Sequence, residues 1–407
     1  MRPELCGGAR TYHDRVLQVR GASAGRLTGI DVARCVALIG MAATHIFPST
    51  DPDGSTHLSH AVAAGRASAL FALLAGVSLA LVAGGRTPPA GRVLWAARAG
   101  VAVRALALVA LGLLLGRVDS PPLVILAYYG LLFLVALPVL GLRPRTLWFL
   151  AAGAAILTPV ASHLLRQHVD PTPIAEPWGR DLLVELLLTG TYPVLTWTTY
   201  LFAGLAVGRS DLRHAGSATR LLVAGLVAAV TAKAASAWLL AQVGGVERLA
   251  RTVGSGPEQV DEALRTGMFG TTPREDWRWL VVSAPHSGTT LDLVHTTGSS
   301  LAVLGACLLL VRVLPRLLVL PFAAAGSMTL TLYTAHVLAL ADGSPLLATD
   351  RARLWWAHVL VGLALATLWR TQVGRGPLEA LLAWLAGAAR RAVAGRSAAA
   401  SASARSR

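Results

Sequence analysis

Arg34 and His45 are the two residues whose types and spacing point most directly to chemistry. They lie eleven positions apart in an apolar stretch, and in an α-helix this spacing puts both side chains on one face, about 16 Å apart along the axis. Asp31 lies three residues before Arg34. A guanidinium can hold phosphate or carbonyl oxygens, and an imidazole can transfer a proton near neutral pH. The stretch therefore predicts a reactive face that runs along one helix.

The composition of the chain is typical of a polytopic membrane protein. Of 407 residues, 54% are hydrophobic and only 14% are charged, which predicts an all-α membrane helix bundle rather than several soluble domains. The formal charge of +15 does not indicate a nucleic-acid partner, because the basic residues are distributed among the loops. Cysteine spacing predicts neither disulfides nor a metal site. Heavy use of Ala, Gly, Arg and Leu is typical of a bacterial protein.

Ten apolar segments have about the 20 residues needed to cross a bilayer. They are 29–48, 62–83, 93–116, 122–141, 146–164, 192–208, 219–243, 293–311, 317–341 and 354–371. Arginine is concentrated in the loops of one side, which places that side and both termini in the cytoplasm. We therefore expect a multi-pass protein of the plasma (inner) membrane.

The chain divides into a membrane domain and its flanks. Residues 1–28 are predicted to form a cytoplasmic polar tail, and 29–372 the transmembrane domain. The connection 244–292 is a long extracytoplasmic loop, and such loops are usually functional lids or disordered. Residues 373–395 are predicted to form an amphipathic helix at the membrane interface. Residues 396–407 are predicted to be a disordered tail.

Titratable and aromatic side chains gather near the outer side in this topology. Arg66 opens the second span, His295 opens the eighth, and His336 lies near the outer end of the ninth. Ionisable residues within spans usually mark a site, although histidines at span ends can simply lie in the interface. Tyr192 and Trp197 offer the aromatic faces that bind sugars, or they belong to an aromatic belt.

Other interpretations of the charged residues remain open at this point. Asp31 can cap the first helix, because Thr28-x-x-Asp31 fits a capping box, and Arg34 can reach the cytoplasmic phosphates. Lys233 lies near the middle of the seventh span. Together with Arg34 and the outer histidines it supports an alternative function, a proton-coupled transporter or permease of a small polar solute. The chain lacks the paired, interrupted spans that transporters often show.

Several segments resemble known families. Arg34 followed by ten residues and His45 matches the arginine–histidine motif of membrane acyltransferases of the acyltransferase-3 type. Segments 29–45 and 65–78 resemble bacterial relatives of heparan-α-glucosaminide N-acetyltransferase, and segments 192–197, 326–336 and 374–379 resemble YeiB-like membrane proteins.

This resemblance implies transfer of an acyl group, commonly acetyl from coenzyme A, to a sugar amine or hydroxyl across the membrane. It implies catalytic roles for Arg34, Asp31 and His45, with His45 acting as general base or accepting the acyl group itself. Candidate donor-binding residues are Arg34 and Lys233. Candidate acceptor-binding residues are Arg66, His295, His336, Tyr192 and Trp197. The expected partners are the lipid bilayer, acetyl-CoA or another acyl-CoA, an extracytoplasmic glycan or small sugar, and a second copy of the chain in a homodimer; no metal is expected.

Overall fold

The computed structural model describes residues 27–169 and 182–405, with side chains described as far as residue 394. Across these residues the chain is helical and has no β-strand, and one isolated bridge joins Thr50 to Thr56. The helices are α1 (Thr28–Ile46), α2 (Leu58–Ala63), α3 (Arg66–Val82), α4 (Gly91–Leu115), α5 (Leu126–Val139), α6 (Pro144–Leu165), α7 (Val194–Gly208), α8 (Ala215–Gln242), α9 (Gly245–Val253), α10 (Pro257–Thr266), α11 (Thr290–Val313), α12 (Arg316–Gly326), α13 (Thr329–Ala339), α14 (Arg351–Gln372) and α15 (Pro377–Arg405). Residues 1–26 of the predicted cytoplasmic tail lie outside this description.

The helix lengths confirm the all-α polytopic bundle. Among the described residues, seven helical segments are long and apolar enough to cross a membrane: α1, α2 with α3, α4, α6, α8, α11 and α14. The predicted ninth span, 317–341, is broken into α12 and α13, which bend by 68° and together make an eighth candidate. The shorter apolar helices α5 and α7 occupy the places of the predicted fourth and sixth spans. The count of ten crossings and the orientation stay predictions.

Glycines allow the central helices to approach closely. A Cβ at Gly76 of α3 would overlap a backbone carbonyl of α7, and a Cβ at Gly204 of α7 would overlap a carbonyl of α3. Small residues of this kind bring membrane helices into backbone contact. Helix α1 packs against α3, α11 and α12, so the helix that carries Arg34 and His45 lies inside the bundle.

The long connection between α8 and α11 is folded. It contains α9, α10 and the 3₁₀ turn Trp277–Val281. Leu249, Val260, Trp279 and Val282 form a small buried cluster within it. Apolar burial therefore gives this connection a core of its own, which supports the stretch that leads into α11.

The C-terminal helix is longer than the sequence predicted. Helix α15 continues to Arg405, past the end of the predicted interfacial helix 373–395. This stretch is rich in Ala, the residue with the highest helix propensity. Leu382 and Ala386 of α15 are buried, and Gly100 of α4 lies against Ala386 and Arg390. One face of α15 thus packs on a candidate membrane span.

Candidate functional site

Arg34 and Asp31 form an ion pair near the start of α1. Arg34 Nη1 donates to Asp31 Oδ1 at 2.8 Å, and Arg34 Nη2 donates to Ser78 Oγ of α3 at 2.5 Å. Helix α1 has Leu27 at its N-cap and no side-chain cap, so the capping box predicted from Thr28 and Asp31 does not form. Asp31 instead holds the Arg34 guanidinium in a fixed direction.

Arg34 lines a cavity of about 740 Å³ inside the bundle. Five arginines contribute to its wall, and we call it the arginine cavity; they are Arg34, Arg104, Arg213, Arg375 and Arg390. They come from α1, α4, the loop before α8, the loop before α15, and α15 itself. Two carboxylates, Asp31 and Glu379, also line the cavity, so its wall carries an excess of positive charge.

Arg104 and Arg390 each bring to the arginine cavity a side-chain N–H group that has no acceptor among the described residues. The Nε atoms of both are buried and have no hydrogen-bond partner within the described part of the chain. Arg104 lies near the middle of α4 and is repelled by Arg390, Arg34 and Arg375. Buried N–H groups without acceptors, within a group of like charges, favour the binding of an anion.

Glu379 is engaged elsewhere and does not offset this charge fully. Its Oε1 accepts from the backbone N–H groups of Leu330 and Thr331 at 2.8 and 3.2 Å, and its Oε2 accepts from Thr331 Oγ1 at 2.6 Å. Glu379 therefore satisfies free amides at the N-terminus of α13, where a carboxylate is favoured by the helix dipole.

Aromatic and apolar side chains also line the cavity, and a pair of histidines lies one helical turn beyond two of them. The lining includes Tyr129, Met41 of α1 and Tyr333 of α13. One helical turn further along these two helices, His45 Nδ1 lies 3.1 Å from His336 Nε2. The cavity lining contains Arg34 but, among the described residues, not His45. About 6 Å of helix separates Met41 from His45.

A second polar group is separate from the arginine cavity, and none of its members belongs to the lining of that cavity among the described residues. Arg66 Nε donates to His295 Nε2 at 3.0 Å, so the structure brings these two predicted acceptor residues together. Lys233 belongs with this group rather than with the arginine cavity. Its Nζ donates to the Ser283 carbonyl at 2.6 Å, and Arg66 and Asp292 are its charged neighbours. Of the two residues predicted to bind the donor, Arg34 therefore lines the arginine cavity and Lys233 does not.

Tyr192 and Trp197 form a buried aromatic cluster rather than a belt that faces lipid. Their ring centroids are 5.1 Å apart with perpendicular planes, and the two side chains are only 7% and 4% exposed. His286, from the loop before α11, packs edge-on against Tyr192 at 5.6 Å. Aromatic pairs of this geometry fix the positions of their members.

His286 was not among the predicted site residues, although it lies in a polar segment between two spans. Its backbone has φ of +56°, a conformation that residues other than glycine rarely adopt and that is found disproportionately at functional sites. Its Nδ1 is buried without a partner in the described residues. Burial, with the neighbouring His60, lowers the pKa of His286 to about 4. The ring is therefore neutral at pH 7.

No group of three or more His, Cys, Asp or Glu side chains within the described ranges is arranged to hold a metal ion. The remaining features define an integral membrane protein with a cationic cavity and, one helical turn beyond its lining, a pair of imidazoles. The family model described as heparan-alpha-glucosaminide N-acetyltransferase, catalytic, matches residues 26–243, more than half of the chain. The chain therefore belongs to this family of membrane acetyltransferases. No curated protein matches it.

Proposed function

We propose that the protein transfers an acyl group, acetyl in the first instance, from acyl-CoA to a sugar amine or hydroxyl on the other side of the membrane. One observation supports this most strongly. The lining of the arginine cavity combines arginines with aromatic and aliphatic side chains, and the His45–His336 pair lies one helical turn beyond Met41 and Tyr333 of that lining. Acyl-CoA has the matching form, because its phosphates lie at one end and its thioester lies at the end of a thin arm.

The unpaired N–H groups of Arg104 and Arg390 are suited to the phosphates of the donor. Guanidinium groups bind phosphate in bidentate fashion and keep their charge when buried. Acyl-CoA is cytoplasmic, so we place the arginine end of the cavity in the cytoplasm and the histidines toward the outer face of the plasma membrane. Arg34 and Asp31 then lie along the path of the pantetheine arm.

His45 is the catalytic base in this proposal. It removes a proton from the acceptor nitrogen or oxygen as that atom attacks the thioester carbon. The carbon–sulfur bond breaks, and the proton passes from His45 to the sulfur of the leaving coenzyme A. Transfer through an acyl-His45 intermediate satisfies the same balance in two steps. The Met41 turn between the cavity and His45 must open by a few ångströms for the thioester to reach the imidazole.

The acceptor is proposed to approach from the outer side. Tyr192 and His286, whose rings pack edge to face, provide an aromatic face and a neutral imidazole for the acceptor. Arg66 and His295 provide polar groups nearby, which can bind the hydroxyls of a sugar. A cell-envelope glycan or a small amino sugar fits this combination of aromatic and polar groups.

The test is acetyl transfer by the purified protein in lipid nanodiscs. Radiolabelled acetyl-CoA is supplied with a panel of amino sugars and hydroxyl acceptors, and wild type is compared with His45→Ala and His168→Ala. His168 is an exposed histidine of the connection after α6, so its replacement controls for loss of any histidine. We expect transfer by wild type and His168→Ala only. Equal transfer by His45→Ala would remove His45 from the mechanism.

A further inference from the structure

His286 has a backbone conformation that no other described residue with a side chain shares. Its φ is +56°, and every other described residue with a positive φ is a glycine. Its ring packs against Tyr192 at 5.6 Å, and its Nδ1 is buried with no partner in the described part of the chain. The ring thus keeps a hydrogen-bonding atom for a ligand. A strained conformation of this kind persists only where the surrounding contacts hold it.

The backbone around His286 is held by an unbroken series of hydrogen bonds. We call residues 281–288 the His286 turn, and each carbonyl of residues 281–286 accepts a hydrogen bond. Three donors are side chains, namely Ser236 Oγ to the Val281 carbonyl, Thr289 Oγ1 to the Val282 carbonyl and Lys233 Nζ to the Ser283 carbonyl. The other three are the backbone N–H groups of Ser287, Met268 and Gly270, which donate to the carbonyls of Ala284, Pro285 and His286.

Two charged side chains hold the His286 turn on either side of its strained residue. Lys233 Nζ of α8 lies 2.6 Å from the carbonyl oxygen of Ser283, three residues before His286. Asp292 Oδ2 of α11 accepts from the N–H of Gly288, two residues after His286, at 3.0 Å. Hydrogen bonds in which one partner is charged are stronger than neutral ones. The turn is therefore anchored to two helices, by a cation before His286 and by an anion after it.

The two anchoring helices are fixed relative to each other. A Cβ at Gly225 of α8 would overlap the Ala302 backbone of α11, and a Cβ at Gly298 of α11 would overlap the Ala229 backbone of α8. Small residues allow membrane helices to make this backbone contact. The two anchors of the His286 turn are therefore held at a fixed separation.

Contact with the donor does not explain either charge, because neither Lys233 nor Asp292 lines the arginine cavity among the described residues. Lys233 is the only lysine of the chain, and it lies in a helix apolar enough to cross a membrane. A charge in such a helix is costly and usually marks a function. A neutral group can satisfy a carbonyl, as Ser236 does on the same helix. The charge of Lys233 gives a stronger hydrogen bond at the position nearer to His286.

We propose that Lys233 and Asp292 form a charged clamp that holds His286 in its strained conformation and so positions its ring beside Tyr192 for the acceptor. Both are positioning residues, because each acts through the backbone of the His286 turn. The inference rests on the proposed function, in which His286 and Tyr192 bind the sugar. It assigns to the acceptor site a lysine that the sequence predicted to bind the donor.

The first experiment measures the His286 turn without any acceptor. Amide hydrogen exchange of peptides covering residues 281–289 is followed by mass spectrometry in nanodiscs for wild type, Lys233→Met and Asp292→Ala. Thr231→Val is the matched control, because Thr231 is an exposed residue of α8 whose hydroxyl donates to carbonyls of α8 itself. Binding of coenzyme A, measured by calorimetry, checks that each variant is folded.

We expect exchange in these peptides to be about 10-fold or more faster in Lys233→Met and Asp292→Ala, the factor for losing a hydrogen bond to a charged group. Thr231→Val should exchange like wild type. Equal exchange in wild type and the two clamp variants would overturn the inference, whether or not an acceptor had been found.

The second experiment separates positioning from folding by steady-state kinetics, with acetyl-CoA as donor and glucosamine as acceptor. In Lys233→Met we expect the KM for glucosamine to rise about 10-fold and the KM for acetyl-CoA to change by less than about threefold. Lys233→Arg keeps a cationic donor, so its KM for glucosamine should stay within about threefold of wild type. An unchanged KM for glucosamine in Lys233→Met would overturn the inference and leave the proposed function standing.

A double variant shows whether Lys233 acts through His286. In His286→Ala the clamp has no ring to position, so adding Lys233→Met should change the KM for glucosamine by less than about twofold. An equal increase in the presence and absence of the His286 ring would overturn the inference. Absence of transfer by wild type to every acceptor tested would refute the proposed function, and hydrogen exchange would still decide whether the clamp holds the His286 turn.

Discussion

Arg104 is predicted to bind the donor and to lower the free energy of unfolding of the ligand-free protein. It lies near the middle of α4, its Nε is buried and unpaired within the described residues, and three other arginines repel it. A buried unsatisfied donor costs about 1–3 kcal/mol. Arg104→Leu removes that unfavourable contribution and the repulsion. We therefore expect the free energy of unfolding of the ligand-free protein to rise by about 1–3 kcal/mol.

The same substitution should weaken binding of coenzyme A. A hydrogen bond to a charged group contributes about 1.5–3 kcal/mol, and about 1.4 kcal/mol corresponds to a factor of ten. The dissociation constant should therefore rise about 10- to 150-fold. At a coenzyme A concentration 100 times the wild-type constant, the ligand stabilises wild type by about 2.7 kcal/mol. At that concentration it should stabilise Arg104→Leu by only about 0.3–1.4 kcal/mol.

The assay is unfolding of the detergent-solubilised protein with and without coenzyme A, together with calorimetric titration. Arg98→Leu is the matched control, because it removes an arginine from the same helix outside the cavity lining. Arg98 donates to the Leu137 and Pro138 carbonyls, so this control should lower ligand-free stability by about 1 kcal/mol and leave the affinity for coenzyme A unchanged. Arg104→Leu with wild-type affinity would refute the assignment of the arginine cavity to the donor.

Three further predictions concern packing, capping and pH. Gly204→Ala should destabilise the protein by about 1–3 kcal/mol, since the added Cβ would overlap a carbonyl of α3. Gly153→Ala is the control, because its Cβ would meet open space. Equal unfolding midpoints for the two variants would contradict the prediction. Glu379→Ala should lower the free energy of unfolding by about 0.5–2 kcal/mol, because two backbone amides of α13 lose their acceptor. An unchanged midpoint in thermal unfolding would count against this capping role. The folded-state pKa of His286 is about 4, below its unfolded value of about 6.5. The unfolded state therefore binds a proton more readily between these values, and the free energy of unfolding falls as pH drops from about 6.5 to about 4. His286→Gln should flatten this part of the pH dependence, and parallel curves for the two proteins would argue against a buried neutral ring.

Some parts of the site could be predicted from the sequence because they lie on one helix. Arg34, Asp31 and His45 share α1, and their depth follows from their spacing. Arg104 carried a readable signal as well, since a charge in the middle of an apolar span usually marks a site. Arg390 gave no such signal, because only the packing of α15 on α4 brings it into the cavity. Lys233 was predicted to bind the donor, and the sequence could not show otherwise, because its span gave no indication of which loop would contact it.

The contact between His45 and His336 depends on a feature that hydropathy does not reveal. The sequence predicted one continuous span over 317–341, whereas α12 and α13 meet at 68°. His336 lies eight residues, or about 12 Å, beyond the bend. If α12 and α13 formed one straight helix, His336 would lie roughly 13 Å from its actual position. Two contacts favour the bent form: Gly326 allows α12 to lie directly on the Asp31 backbone, and Glu379 satisfies the amides at the start of α13. The break therefore joins the two ends of the site, because α13 has its N-terminus at the arginine cavity and its last turn at the histidine pair.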